Sequence, residues 1–254
     1  MRISYPIPSA RISSYVKSIL VIENKQVTTP FMLPLFPNGT PTLLFTTAAG
    51  SLGPDKYNLV LFGQTVSPRQ MLIDNDFKLI AYFLQPYALG ALFNVPACEL
   101  TDHPVSLDMF TGGLKLQEHL LNTADTDQLL RLIDDYLYSK IRVAGHEDKR
   151  IIYAAEKISR ISDRSVLAAV QRELCMTERT FERLFDKYIG ISPNQFRRIN
   201  QFNNAFKHIN SRTFSDLSMI AHRYGYADQS HFIRAFKEFT YLTPTSYLSQ
   251  RPDA

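Results

Sequence analysis

Residues 224–239, YGYADQSHFIRAFKEF, bring an aspartate, a serine and a histidine within four positions, Asp228, Ser230 and His231. These side-chain types also build hydrolase triads and metal sites, so the stretch can be read as a place for chemistry or as one for recognition. A second copy decides between the two. Phe181, Arg183, Phe185, Tyr188, Ser192, Pro193 and Phe196 recur 51 positions later as Phe232, Arg234, Phe236, Phe239, Thr243, Pro244 and Tyr247. Each copy spells a short helix, a tight turn and a second helix ended by Gly or Tyr before Ser/Thr-Pro, which is the pattern of a helix-turn-helix.

Helical geometry then sorts the side chains. At about 100° per residue, Phe232, Phe236 and Phe239 share one face, while Ser230, Arg234 and Lys237 take the opposite one. In the first copy Phe181, Phe185 and Tyr188 face inward, and Arg179, Glu182 and Arg183 face out. A helix-turn-helix inserts the start of its second helix into the major groove, where Arg binds guanine bidentately and Gln reads adenine. Ser230 and His231 are consecutive in a helix and diverge, so they cannot pair as nucleophile and base. Asp228 is expected to cap the second recognition helix. His231 lies between the two faces, with a phosphate contact, a base contact, a cap and packing near Tyr226 all open to it.

Charge agrees with this division. The net +4 of the 254 residues is uneven: up to Gly145 there are 11 Lys/Arg against 12 Asp/Glu, and from His146 onward 17 against 12. A polyanion is therefore met by the second part. The longest apolar runs, such as LIAYFL at residues 79–84, fall well short of the roughly 18 to 20 residues of a membrane span. The first residues are not expected to form a signal peptide, and the expected location is the cytoplasm. Cys98 and Cys175 stand apart with no C-x-x-C spacing and are expected to be small buried side chains, with neither disulfide nor zinc.

The first hundred residues carry short β-rich runs: SILVIEN, TPTLLFTT, YNLVLFGQT, RQMLID and FKLIAYFLQP. DND at residues 74–76 suggests a hairpin loop between the last two. A small antiparallel barrel or sandwich follows, with helices near residues 87–94, 114–121 and 127–141. The expected class is α+β: a β-rich domain with a helical end over residues 1–145, then an all-α domain over 146–254. Within the latter, the two helix-turn-helix units fall near 165–189 and 215–239. One long helix near 193–210 joins them, with Ser192 and Pro193 at its start.

The second part resembles the AraC/XylS family of bacterial transcription regulators. The resemblance is carried by MTERTFERLFDKYIGISPNQF and by IAHRYGYADQSHFIRAFKEFTYLTPTSY, where Gly225, Asp228, Gln229, Ser230, His231, Phe232, Arg234, Phe236 and Pro244 keep the family's order and spacing. It implies two recognition helices about one DNA turn apart on one side of the duplex, with double-stranded DNA as partner. Position by position, it puts Arg179, Glu182 and Arg183 in the first reading helix and Gln229, Ser230, His231 and Arg234 in the second; Lys237 is added from the outward face. Cys175 stands where the family often has Gly, and Gln201 where it commonly has Arg, which puts one structural or phosphate contact in question.

The first part is similar to sensory regions of one subgroup, through FGQ, YFLQPYALGALFNVPACELTD and SLDMF, and this implies a degenerate cupin-like barrel. With His103 and His119 both after the strands, no metal and no cofactor are expected. Pro34, Phe36, Asn38, Phe62, Gln64 and Gln85 are candidates for lining an effector pocket, against the plainer reading that aromatic residues in a small barrel are core. A barrel serving only as a homodimer or RNA polymerase contact is the second reading. A DNA-repair methyl acceptor is the third, and the lack of a cysteine-rich zinc site speaks against it.

Overall fold

The computed structural model describes residues 1–141, 148–161, 163–211, 213–214 and 216–249. The domain boundary expected at Gly145 lies outside them. The chain is α+β, with eight strands preceding most of the helices: β1 (Arg2–Ser4), β2 (Val16–Asn24), β3 (Phe31–Leu35), β4 (Thr42–Leu52), β5 (Asp55–Phe62), β6 (Arg69–Ile73), β7 (Phe77–Leu84) and β8 (Val105–Ser106). All pairings are antiparallel, in the order β1-β2-β7-β4-β5-β8, with β6 bridging β3 and β4.

Alternation along the strands builds two cores. Ile19, Val21, Leu43, Phe45, Leu59, Leu61, Ile80 and Tyr82 join a cluster with the helices that cover the sheet. Ile22, Leu44, Val60, Phe62, Leu79 and Ala81 point the other way and fill the curl of the sheet. Burial on both faces is why these strands spell almost continuous apolar runs. The covering helices are α1 (Ala88–Phe93), α2 (Gly113–Leu121) and α3 (Thr126–Ile141), with a short 3-10 turn at Ala97–Leu100 between the first two. Tyr82 is fully buried and donates its hydroxyl to Asp134 of α3 at 2.8 Å, which ties helix to sheet.

The hairpin expected at residues 74–76 does not form. β6 pairs with β3 and β4, whereas β7 pairs with β2 and β4. A register break between Phe45 and Gly50 lets the first half of β4 serve β7 and its second half serve β6. Asp76 then turns to the β2–β3 connection, accepting from Val27 N–H at 2.8 Å. That bond is the chief cause holding its carboxyl below the usual carboxylate range.

The remaining helices are α4 (Lys149–Arg160), α5 (Ser165–Glu173), α6 (Glu178–Ile189), α7 (Pro193–Asn210), α8 (Leu217–Arg223), α9 (Gln229–Thr240) and α10 (Pro244–Ser249). They share one core around α7, which buries Phe196, Ile199, Phe202, Ala205 and Ile209. Phe196 meets Phe185 of α6 with ring centroids 5.5 Å apart, and Phe202 meets Phe236 and Phe239 of α9 at 5.7 and 5.0 Å. One helix therefore anchors both units through aromatic contacts, each buried Phe contributing about 1.5 to 3 kcal/mol of apolar burial.

Candidate functional site

The second helices of the two helix-turn-helix units, α6 and α9, start where side chains cap them. Thr177 accepts from Thr180 N–H at 3.3 Å to open α6, and Asp228 accepts from His231 N–H at 2.6 Å to open α9. Such caps satisfy backbone donors that a helix start leaves free. Arg179, Glu182 and Arg183 lie exposed on α6 above buried Phe181 and Phe185. Gln229, Ser230, Arg234 and Lys237 lie exposed on α9 above buried Phe232, Phe236 and Phe239. Among the described residues, the side chains of Arg179, Arg183, Arg234 and Lys237 make no ion pair or hydrogen bond. Their cationic groups are free for an incoming acceptor.

His231 is exposed but locally engaged. Its Nδ1 accepts from Ala227 N–H at 3.3 Å, and its ring packs edge-on to Tyr226 at 5.4 Å. Of its open roles, the structure thus supplies the cap and the packing. Asp228, Ser230 and His231 do not converge on a common point, because Asp228 is spent on the helix start.

Cys175 turns out exposed and Cys98 half-buried, contrary to the expectation that both are buried. Cys175 follows α5 with a left-handed φ of 50°, and Gly225 follows α8 at 72°. Both turns close alike: Met176 N–H reaches Gln171 O, and Tyr226 N–H reaches Ala221 O. The turn geometry survives without the glycine. The doubt at Gln201 is also resolved. Its side chain is buried and donates to the carbonyls of Tyr224 and Gly225 at 2.8 and 3.0 Å, so it makes a structural contact rather than a phosphate contact.

A second site lies between the two parts of the chain. A cavity of about 470 Å³ opens at the end of the barrel and is closed by α7. Leu20, Leu44, Leu79, Ala81 and Phe83 form its apolar floor, with Leu33, Pro34, Phe36, Asn38 and Phe62 beside them. Asn200, Asn203, Asn204 and Lys207 come from α7, and Lys17 from β2. Of the sequence candidates, Pro34, Phe36, Asn38 and Phe62 line this space. Gln64 and Gln85 do not. Gln64 is fully buried, with no hydrogen-bond partner for its side chain among the described residues, and Gln85 donates its N–H to Tyr15 O at the sheet end.

Both lysines are exposed at the cavity mouth. Lys17 is open to solvent on one side, yet protein crowds its ammonium on the other. This crowding first, and the Lys207 charge second, pull its pKa below the usual lysine value. Sequence reading missed Lys17, Lys207 and the three asparagines, because no local pattern says that β2 and α7 will face each other. The parts are welded at further points. Asn203 Nδ2 donates to Pro37 O at 3.2 Å, Thr101 Oγ1 donates to Gly190 O at 2.6 Å, and Phe36 packs edge-on to Phe206 at 5.6 Å.

Comparison with known families decides the kind of protein. A model described as a helix-turn-helix domain, of AraC type, matches residues 170–250, from within α5 past α10. The second part of the chain is a helix-turn-helix domain of the AraC type. The N-terminal part of the chain matches a domain of unknown function (DUF6597) over residues 5–106. In fold, the regulator is similar to ToxT from Vibrio cholerae O395, at 13% identity and a TM-score of 0.50, over 93% of this chain and 98% of that one. It is also similar to ToxT of the same strain bound to (E)-4-(8-methylnaphthalen-1-yl)but-3-enoic acid, at 15% identity and a TM-score of 0.51, over 90% and 97%. No curated protein matches the chain in sequence. Among its described residues, no helix is long and apolar enough to cross a membrane.

Proposed function

We propose that this DNA-binding transcription regulator reads two adjacent major-groove segments, with α6 and α9, under the control of an amphiphilic carboxylic acid in the cavity closed by α7. The observation that carries the DNA reading is the matched pair of outward arginines, Arg183 and Arg234, whose side chains have no partner among the described residues. Arg183, Arg179 and Arg234 read bases, Gln229 and Ser230 add polar contacts, and Lys237 meets phosphate. Glu182 accepts from cytosine N4. On this reading the protein has no catalytic activity of its own and works in the cytoplasm.

The acid fits the cavity in both parts. Its apolar body takes the place of water against Leu20, Leu44, Leu79 and Phe83, and its carboxylate bridges Lys17 of the barrel and Lys207 of α7. Support comes from the acid bound to ToxT, a protein of similar fold.

Selection of bound sequences from random DNA tests the first half. Arg183→Ala and Arg234→Ala should each cost on the order of 1 to 3 kcal/mol at fixed salt and relax one position of the site. Lys237→Ala should weaken all sequences alike. Unchanged affinity in both arginine variants would refute the assignment of faces.

The same naphthyl-butenoic acid, set against its methyl ester, tests the second half. At about 100 times its Kd, the acid should stabilise the fold by about 2.7 kcal/mol, seen as a rise of roughly 5 to 10 °C in melting temperature. An ester that does as well, or an acid that stabilises the Lys17→Gln/Lys207→Gln protein equally, would sink it.

A further inference from the structure

We infer that Gln201, held by Arg197, is a positioning residue that sets the spacing at which the two recognition helices can read DNA. The inference rests on the two-segment reading above. Gln201 and Arg197 lie one turn apart on α7, and each is only 5% exposed. Arg197 Nη1 donates to Gln201 Oε1 at 3.0 Å, and Gln201 Nε2 donates to Tyr224 O at 2.8 Å and Gly225 O at 3.0 Å. Those carbonyls belong to the turn between α8 and α9. The linker helix therefore grips the second unit by the turn from which its recognition helix departs.

Only an amide suits this place. Its oxygen accepts from the guanidinium while its NH₂ donates to the two carbonyls. A glutamate would turn oxygen against oxygen, and an arginine would bring a second guanidinium up to Arg197. The buried charge also raises the stakes, since low-polarity surroundings strengthen a satisfied network and penalise a broken one.

The first unit is fixed differently. Among the described residues, no α7 side chain bonds its turn, and it is held by Phe185–Phe196 packing and by Thr101 at the end of α6. Aromatic contacts such as Phe202–Phe236 hold α9 close to α7 but tolerate rotation. Directional hydrogen bonds at the turn do not. An Arg198–Glu238 ion pair also joins α7 to α9 at 2.5 Å, but it is exposed to solvent, so the buried Arg197–Gln201 latch is the element that fixes the angle between the two readers. One extra base pair moves the second DNA segment by about 3.4 Å and turns it by about 35°, so such an angle is read out as a spacer length.

The test uses the full chain and its selected site, with one or two base pairs added or removed between the segments. Binding is measured for wild type, Gln201→Leu and the Arg197→Met/Gln201→Leu double variant, with melting curves alongside. The double variant replaces the buried polar pair by apolar volume, and it carries the test if the single variant fails to fold. Wild type should lose about tenfold or more for one base pair of spacer change. In the variants that preference should shrink to about threefold or less, while base preferences within each segment stay the same. A folded variant that keeps the wild-type spacer ratio overturns the inference, whether its affinity is unchanged or falls uniformly. A wild type indifferent to spacing overturns the two-segment reading, and the inference with it.

Discussion

Four residues in left-handed backbone show how the repeat divides its constraints. Cys175 and Gly225 end the first helix of each unit, at φ 50° and 72°, and Gly190 and Tyr241 end the second, at 94° and 60°. Each unit thus holds one glycine and one residue with a side chain. At Gly190 the choice is forced, because a Cβ would come within 2.7 Å of Ala97 O and Thr101 Oγ1. Cys175 and Tyr241 are exposed and meet no such wall. Cys175→Gly should therefore raise stability by about 0.5 to 1 kcal/mol, or roughly 1 to 3 °C in melting temperature, while Gly190→Ala should lower it by more than about 1 kcal/mol. A melt in which both substitutions act alike would contradict this account. Lys17 makes the second prediction at this scale. Its pKa is lowered in the protein without effector, and a bound carboxylate favours its charged form, so binding takes up protons. Acid affinity should be highest near neutral pH and fall as pH rises through the lowered Lys17 pKa, an effect that titration calorimetry at several pH values would detect. The Lys17→Gln protein should show a flatter profile over that range.

The helices were the most legible elements, since their signals are local. Phenylalanines three and four apart, Thr177, Ser192 and Asp228 as caps, and Pro193 in the first turn all lie within one or two turns of the structure they specify. Removing Asp228 is the clearest test at this scale. Asp228→Ala should cost about 1 kcal/mol of stability and weaken DNA binding, because α9 frays at the end that carries Gln229 and Ser230; Asp228→Asn should retain most of both. Chemical denaturation and a binding titration would show it. Strands were less legible. β1 and β8 have three and two residues, too few to show a period, and β3 carries Pro34. The hairpin expected at residues 74–76 failed because neighbours in sequence need not pair. A break in β4, invisible to alternation alone, sends β6 and β7 to different stretches of the same strand.

In the whole molecule, α7 has two audiences. Asn200, Asn203, Asn204 and Lys207 face the barrel cavity, while Phe202 and Gln201 hold the second helix-turn-helix. An occupant of the cavity and the proposed DNA-reading surface thus bear on the same helix, and linkage makes any coupling between them reciprocal. The factor by which the naphthyl-butenoic acid changes affinity for the selected site should equal the factor by which that DNA changes affinity for the acid; two unequal factors at equilibrium would break the thermodynamic cycle and show that a further state takes part. By itself the sequence determined the repeated helix-turn-helix, its inward phenylalanines, its outward cations and its caps, because each follows from spacing within a helical turn. The tertiary structure alone decided which strands pair, that Gln201 latches a turn rather than meeting phosphate, and that Lys17 and Lys207 guard one cavity. Those depend on surfaces brought together from distant parts of the chain, and packing between distant elements leaves no period to read.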